Sequence, residues 1–179
     1  MSLKKAKIIS TLLIFALMSL FHFMYDIFPN TLFAILFPVN ESIFEHIKLI
    51  FNTFIIYGIV DYLLLSKFKL QKNNFFLNLL ISALTCIVFF LIIWLPIYYK
   101  IGENMIVTLI VLFISIVFSQ VISNYILTKH NNKILNYISI IIIIIIITTF
   151  AYFTYYPLYN EFFFDPMKEK YGINIYIIN

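Results

Sequence analysis

Charged residues are scarce in this sequence. Asp, Glu, Lys and Arg make up only 11% of the residues, whereas 63% are apolar. A soluble protein of this length would need more polar groups to cover its exterior. The apolar residues also occur in long runs and not in amphipathic stripes. We therefore expect a multi-pass membrane protein that has the lipid bilayer as its main partner.

Cysteine, glycine and arginine are also scarce or missing. The one cysteine, Cys86, excludes a disulfide within the chain and a cysteine-based metal cluster. With three glycines and no small-xxx-small spacing, close glycine-mediated helix crossings are not indicated.

Every basic residue is lysine, and the lysines lie at membrane boundaries. The net charge of +4 therefore gives no reason to expect a nucleic-acid partner.

Apolar runs bounded by polar clusters predict five transmembrane helices. At about 1.5 Å of rise per residue, each run can cross a hydrocarbon core roughly 30 Å thick. The sequence thus predicts an all-α membrane protein, a single transmembrane domain built as a bundle of about five helices. A four-span alternative, with the second run lying along the interface, fits less well because Leu49 to Leu65 is almost unbroken in apolar character. The predicted spans are about 7–28, 41–65, 75–98, 105–127 and 134–156.

The lysines predict the orientation. Eight of the twelve lysines precede the first span or lie between spans two and three or between spans four and five, whereas Lys48, Lys100, Lys168 and Lys170 fall on the opposite side. By the positive-inside rule the N-terminus is cytoplasmic, the C-terminal tail lies outside, and the protein resides in the cell membrane. The lysines that carry this prediction are Lys4, Lys5, Lys7, Lys67, Lys69, Lys72, Lys129 and Lys133.

The acidic residues form a second pattern. All but Asp61 fall on the outer side of the predicted topology, so we expect a polar site on the outer face, built from several segments. The outer acidic residues are Asp26, Glu41, Glu45, Glu103, Glu161, Asp165 and Glu169.

His22 and Asp26 lie four residues apart at the outer end of the first span. On one helix face, the carboxylate could orient the imidazole and raise its basicity. A plain helix-end pair at the headgroup level explains the same spacing.

The strongest spacing signal is a polar stripe at the start of the second span. With Asn40 as helix N-cap, the set Glu41, Glu45, Lys48 and Asn52 falls within an arc of about 60° on an α-helix. His46 lies about 100° round the helix from Glu45. Polar side chains at such depth usually face a cavity or the bundle interior.

Three interpretations compete for this stripe. A salt-bridged helix start would pair Glu45 with Lys48 and need no further function. An enzyme would use the carboxylates and His46 for proton transfer, or as ligands of a divalent metal. The candidate metal ligands are Glu45, His46 and His22. A transporter would use the same groups to bind a cation.

The tail, residues 157–179, is aromatic and carries turn signals at Asp165-Pro166 and Gly172. We expect it to fold back over the outer polar residues as a cap, bringing Asp165 to the site. A loosely anchored aromatic tail is the alternative.

Two motifs resemble those of a known family. Phe37-Pro38-Val39-Asn40-Glu41-Ser42 with Glu45-His46 and Lys48-Leu49, together with Phe164-Asp165-Pro166 and Tyr171-Gly172-Ile173, is similar to a domain-of-unknown-function family of bacterial integral membrane proteins, mainly from Firmicutes. Phe44 stands where the family pattern has a tryptophan, which keeps an aromatic ring. The resemblance covers the whole chain and implies the architecture, but it implies no activity.

The functional prediction is an integral membrane protein of unknown function with an outer polar site. Among chemistries we favour an enzyme acting on a lipid or lipid-linked envelope substrate, so a lipid is the candidate ligand. No nucleophilic serine or cysteine stands out, which argues against acyl-enzyme chemistry. The alternatives are a small ion or solute transporter and a non-catalytic accessory subunit; the oligomeric state stays open. The catalytic candidates are Glu41, Glu45, His46 and Lys48, with His22, Asp26 and Asp165 in support.

Overall fold

The computed structural model of the protein describes residues 1–102, 104–173 and 175–176. The predicted outer acid Glu103, and residues 174 and 177–179 of the predicted tail, lie outside the described residues.

The described chain is mostly helical. The helices, in chain order, are α1 (Leu3–Phe21), α2 (Met24–Ile27), α3 (Thr31–Leu36), α4 (Ile43–Lys67), α5 (Phe75–Ile101), α6 (Met105–Thr128) and α7 (Lys133–Tyr155). Three two-residue strands follow: β1 (Phe164–Asp165), β2 (Lys170–Tyr171) and β3 (Ile175–Tyr176).

Four of these helices, α4 to α7, are long and apolar enough to cross a membrane. They coincide with the last four predicted spans to within about three residues at each end. The chain is thus a multi-pass membrane protein by helix length and composition.

The first predicted span is not one continuous helix. Helix α1 has 19 residues and ends at Phe21, and it is not among the four candidate spans. The amide of Phe23 donates to the carbonyl of Leu20, three residues back, so the chain turns before α2 begins. The prediction of one continuous helix over residues 7–28 was therefore wrong. The apolar run continues through the turn, so the sequence carries no signal of the break.

The chain divides into two compact units. Unit 1 comprises Met1–Ala16 and Phe54–Ile140, and unit 2 comprises Leu17–Thr53 and Ile141–Asn179.

In unit 1, α5 and α6 pack side by side as an antiparallel pair. The indole of Trp94 donates to Thr108 Oγ1 at 2.8 Å, and the rings of Phe89 and Phe118 stack with centroids 4.6 Å apart. At the opposite end, Asn136 Oδ1 accepts from the amide of Phe76 at 3.1 Å. This bond caps amides of the first turn of α5, which have no partner within that helix.

A buried polar network joins α1 to α4 within unit 1. Lys7 Nζ lies 2.6 Å from Asp61 Oδ2, and Ser10 Oγ donates to the other carboxylate oxygen at 3.1 Å. Tyr57 donates to Ser10 Oγ at 2.8 Å. Lys7 and Asp61 are both buried. Because an isolated charge is costly in a low-dielectric surrounding, each of the two ions depends on its partner.

In unit 2, two short helices and a small sheet surround the first turns of α4. Asn30 caps α3 by accepting from the amide of Phe33 at 3.1 Å. The helix ends at Leu36 because Phe37 precedes Pro38 and is extended, with φ −121° and ψ 160°. The strands form an antiparallel sheet in the order β1-β2-β3. The turn signals at Asp165-Pro166 and Gly172 lie beside these strands, but the strands themselves, only two residues long, were not predicted from the sequence.

Replacing Asp61 with Asn should destabilise the protein by about 3–5 kcal/mol, because it leaves the buried Lys7 ammonium without a countercharge. The double variant K7M/D61L removes both charges and should lose less stability than D61N alone. Chemical unfolding in detergent, followed by circular dichroism, measures both effects. A D61N variant as stable as the parent protein, or a double variant less stable than D61N, would contradict this account of the pair.

Candidate metal centre

Two histidines and a glutamate meet at the start of α4. His22 lies in the turn after α1, Glu41 lies two residues before α4, and His46 lies in the first turns of α4. His22 Nε2 is 3.5 Å from Glu41 Oε1, and His46 Nε2 is 3.5 Å from Glu41 Oε2. All three side chains are about one-quarter exposed. We call His22, Glu41 and His46 the triad.

Hydrogen bonding fixes the orientation of His46. Its Nδ1 lies 2.9 Å from the backbone carbonyl oxygen of Ser42. A carbonyl only accepts, so Nδ1 carries the proton in this hydrogen bond. The Nε2 atom of a neutral ring then presents its lone pair toward Glu41. Metal-bound histidines are held in this way, with the second nitrogen donating to a backbone carbonyl.

Two distances within the triad are close to those of a tetrahedral metal site. One ligand atom from each of the three side chains lies within 4.8 Å of the other two. Zn–N and Zn–O bonds of about 2.0–2.1 Å at tetrahedral angles place two ligand atoms about 3.3 Å apart. The two nitrogen–oxygen distances, 3.5 Å each and to different oxygens of the Glu41 carboxylate, come close to that value. Two histidines and one carboxylate also form a donor set that catalytic zinc sites use.

Ser42, and not Asn40, is the N-cap of α4. Ser42 Oγ accepts from the amide of Glu45 at 3.3 Å, as an N-cap does for the third residue of a helix. Asn40 is engaged elsewhere: its Oδ1 accepts from the Ser42 amide and its Nδ2 donates to the carbonyl of Gly172. The prediction of Asn40 as N-cap and Glu41 in the first turn was therefore wrong. Glu41 lies outside the helix, and its carboxylate can reach both histidines.

Asp165 holds the backbone of Glu41. Its carboxylate is fully buried, and Oδ2 accepts from the Glu41 amide at 3.1 Å. Oδ1 accepts from the amides of Met167 and Lys168, at 2.8 Å and 3.1 Å, in the turn between β1 and β2. The amide of Phe44 also donates to the carbonyl of Phe162 at 3.0 Å. The tail thus packs against the segment that carries Glu41.

Glu45 and Lys48 form a second, buried network below the triad. Lys48 Nζ donates to Glu45 Oε2 at 2.5 Å, to the carbonyl of Ala34 at 2.8 Å and to Thr154 Oγ1 at 2.9 Å. An ammonium has three N–H donors, so all of them have an acceptor. Glu45 also accepts from Thr154 Oγ1 and from the amide of Val39. The carboxylate of Glu45 therefore holds the loop before α4.

Asn52 completes this network one turn further along α4. Its Nδ2 donates to the carbonyl of Leu36 at 2.9 Å, as Lys48 does to Ala34, so the two side chains cap the last carbonyls of α3. Asn52 Oδ1 is buried and has no hydrogen-bond partner among the described residues.

The structure divides the predicted site residues into groups. His22, His46 and Glu41 come together as the triad, whereas Glu45 and Lys48 pair with each other. The predicted helix face of Glu41, Glu45, Lys48 and Asn52 loses Glu41, because α4 begins after it. Asp26 Oδ1 lies 3.8 Å from Lys168 Nζ, and Asp165 supports the Glu41 backbone.

Thr154, whose hydroxyl bonds both Lys48 and Glu45, was not predicted from the sequence. A threonine in an apolar helix gives no signal that separates it from packing residues. The burial of Lys170, which is only 6% exposed, was not predicted either. Burial lowers the pKa of the Lys170 ammonium below its ordinary value, and the positive charge of Lys168 lowers it further, while the carboxylates of Asp165, Asp26 and Glu45 oppose this shift.

Gly172 allows the tail to close over Asn40. It has a φ of +54°, and a Cβ atom there would lie 2.7 Å from the carbonyl oxygen of Thr154.

We predict that Gly172→Ala destabilises the protein more than Gly102→Ala. Gly102 has a φ of +76° with nothing within 4 Å of its Cβ position, so its alanine variant reports backbone strain alone, about 1 kcal/mol. Thermal unfolding in detergent compares the two variants, and equal losses would contradict the proposed contact.

Comparison with known proteins places the chain in a family. No curated protein and no solved structure matches it. A family model described as "Family of unknown function (DUF6512)" matches residues 1–173, nearly the whole chain. This match confirms the resemblance to a family without an assigned activity. The chain therefore belongs to the family of unknown function DUF6512.

Proposed function

We propose that this protein is a metal-dependent membrane enzyme whose triad, His22, Glu41 and His46, binds one divalent transition metal ion. The observation that carries the proposal is the approach of three ligand atoms from three separate segments to within 4.8 Å of one another. An ion of the zinc class held by three protein ligands keeps one open coordination position and acts there as a Lewis acid.

The surroundings of the triad support a lipid or lipid-linked substrate. Residues that follow His22 along α2 and the start of α3 expose large apolar side chains: Phe23, Ile27, Phe28 and Leu32 are each more than half exposed. Exposed apolar groups of this size next to a polar site suit contact with acyl chains. A substrate with its reactive group in the headgroup region would reach the triad from the lipid phase.

Glu45 and Lys48 serve this site as positioning residues. Each is at most 1% exposed, and their charges neutralise each other. Since Glu45 binds the Val39 amide, it fixes the loop that presents Glu41. We therefore assign to Glu41 the proton-transfer or metal-ligand role that was considered for Glu45.

Metal analysis tests the proposal. Purified protein that is incubated with Zn²⁺ and then desalted should retain one equivalent of zinc. Elemental (inductively coupled plasma) mass spectrometry measures the bound zinc. H22A, H46A and E41Q should each lower the affinity by more than tenfold, since even outer-shell partners are worth about 10–100-fold. H130A is the matched control, because His130 is an exposed histidine in unit 1.

Gel filtration and thermal unfolding of each variant separate loss of the ion from loss of the fold. A parent protein without bound metal, or a zinc content that stays at one equivalent in an H22A/H46A double variant, would overturn the proposal. If the parent protein binds no metal, the two histidines serve only as ion-pair partners of Glu41. The polar residues at the start of α4 then have a structural role alone.

We further propose that α1 is a fifth span, and that the N-terminus is cytoplasmic and the triad faces outward in the cell membrane. The 19 residues of α1 rise about 28 Å, close to the hydrocarbon thickness. Lysines near the N-terminus and in the α4–α5 and α6–α7 connections support this orientation.

Cysteine labelling tests the orientation at the two ends of α7. In a C86A background, a membrane-impermeant maleimide applied to intact cells should label L158C and leave K133C unlabelled, since both positions are exposed. Labelling of K133C without L158C would reverse the topology.

A further inference from the structure

Two buried polar atoms on α6, Gln120 Oε1 and Ser123 Oγ, have no hydrogen-bond partner among the described residues. Gln120 is 5% exposed and Ser123 is 1% exposed, so both side chains lie inside the protein. Buried polar groups nearly always have a partner, because their lost hydration is not otherwise replaced. Both atoms therefore call for a hydrogen-bonding group beyond the described side chains and backbone.

Other serines of α6 show how a helical serine usually satisfies its hydroxyl. Ser115 Oγ donates to the carbonyl of Val111 at 2.7 Å, and Ser119 Oγ donates to the carbonyl of Ile116 at 2.8 Å. Such a bond to the preceding turn is open to any serine within a helix. The Ser123 hydroxyl does not use it, so this hydroxyl is turned away from the carbonyls of its own helix.

Gln120 faces α1. It lies seven residues after Phe113 and seven residues before Leu127, and residues at that spacing share one helix face to within about 20°. The ring of Phe113 packs edge-on against Phe15 of α1, with centroids 5.4 Å apart. Leu127 belongs to a buried apolar cluster with Ala6 of α1 and a leucine of α4. The side chain of Gln120 is therefore directed toward α1 between these two contacts.

The matching stretch of α1 carries the buried network of unit 1. Ser10 lies about midway between Ala6 and Phe15, and its hydroxyl donates to the Asp61 carboxylate and accepts from Tyr57. Polar groups of α1, α4 and α6 thus lie at one level of unit 1, and the triad belongs to unit 2. We call these six buried residues the polar layer: Lys7, Ser10, Tyr57, Asp61, Gln120 and Ser123.

The charges of the polar layer select a neutral ligand. The Lys7 ammonium and the Asp61 carboxylate compensate each other at 2.6 Å, and the other members are uncharged side chains. An added cation would be repelled by Lys7, and an added anion by Asp61. The amide oxygen of Gln120 only accepts, whereas the hydroxyl of Ser123 can donate. A water molecule satisfies both atoms at once, and buried waters make about three hydrogen bonds to groups of this kind.

We propose that the polar layer binds at least one internal water molecule, which donates to Gln120 Oε1 and accepts from the Ser123 hydroxyl. The water extends the hydrogen-bonded chain of α1 and α4 to α6, so that the three helices share one polar network. Water held in this way is nearly as favourable a partner as a direct protein group.

A crystal structure of the full-length protein that resolves ordered water tests the proposal directly. Density for water should lie about 2.7–3.2 Å from both Gln120 Oε1 and Ser123 Oγ. Direct hydrogen bonds from these two atoms to protein groups, with no water between them, would overturn the proposal.

Thermal unfolding in detergent gives an independent result. Gln120→Leu keeps the approximate size of the side chain and removes an acceptor of the water. Its midpoint should fall by about 2–4 °C, as expected for one lost hydrogen bond in a chain of this size. Without water, Gln120 Oε1 would be an unsatisfied acceptor, and its replacement by leucine would raise the midpoint. A raised midpoint would therefore contradict the water site.

Matched variants control for the change of residue type. Gln71→Leu changes an exposed glutamine of the α4–α5 connection, and Ser115→Ala removes a hydroxyl that bonds its own helix. Both should unfold close to the parent midpoint. Ser123→Ala removes the donor to the water without adding volume, so it should lower the midpoint, and it takes the place of a Gln120→Leu protein that does not fold.

Unfolding in different salts separates water from a bound cation. The midpoint of the parent protein should be the same in sodium, potassium and choline chloride at equal concentration. A rise specific to sodium or potassium that Gln120→Leu abolishes would identify a cation as the ligand and overturn the water.

Discussion

The buried ammonium of Lys48 is the interaction on which the candidate site depends. It lies in α4 with no exposure, and its three acceptors come from three other groups: the Glu45 carboxylate, the last turns of α3 and Thr154 of α7. A charge in such a place is tolerated only when every donor is satisfied. Satisfying it fixes α3, α4 and the end of α7 in one arrangement.

From this arrangement the geometry of the triad follows. Glu45, held by Lys48, accepts the Val39 amide, and Asp165 from the tail accepts the Glu41 amide. The segment between Val39 and Ser42 is thereby bound at both ends, outside any helix. Its one free carboxylate, that of Glu41, projects between His22 and His46. Costly buried charges thus support a partly exposed group of candidate metal ligands, which is the order expected of a preorganised site.

Much of the fold could be predicted from the sequence, because the membrane constrains it. An apolar run of more than twenty residues has few options other than a spanning helix, and α4 to α7 lie where such runs predicted them. The break after Phe21 could not be predicted, since apolar content alone does not distinguish a helix from a turn.

The candidate site was only partly predictable for a different reason. Asn40 and Ser42 are both good N-caps, and the choice between them is made by Gly172 and Asp165, more than a hundred residues away. Helical periodicity therefore assigned Glu41 to the same face as Glu45 and separated it from His46. Periodicity identifies the candidate site residues, whereas contacts distant in sequence decide which of them meet.

X-ray absorption spectroscopy of the zinc-loaded protein tests the central claim most directly, because it reports the atoms bound to the ion. The account predicts nitrogen and oxygen ligands at about 2.0–2.1 Å, with the outer-shell scattering of two imidazole rings, reduced to one ring in the His46→Ala variant. A ligand shell of water and carboxylate oxygens without imidazole would contradict it.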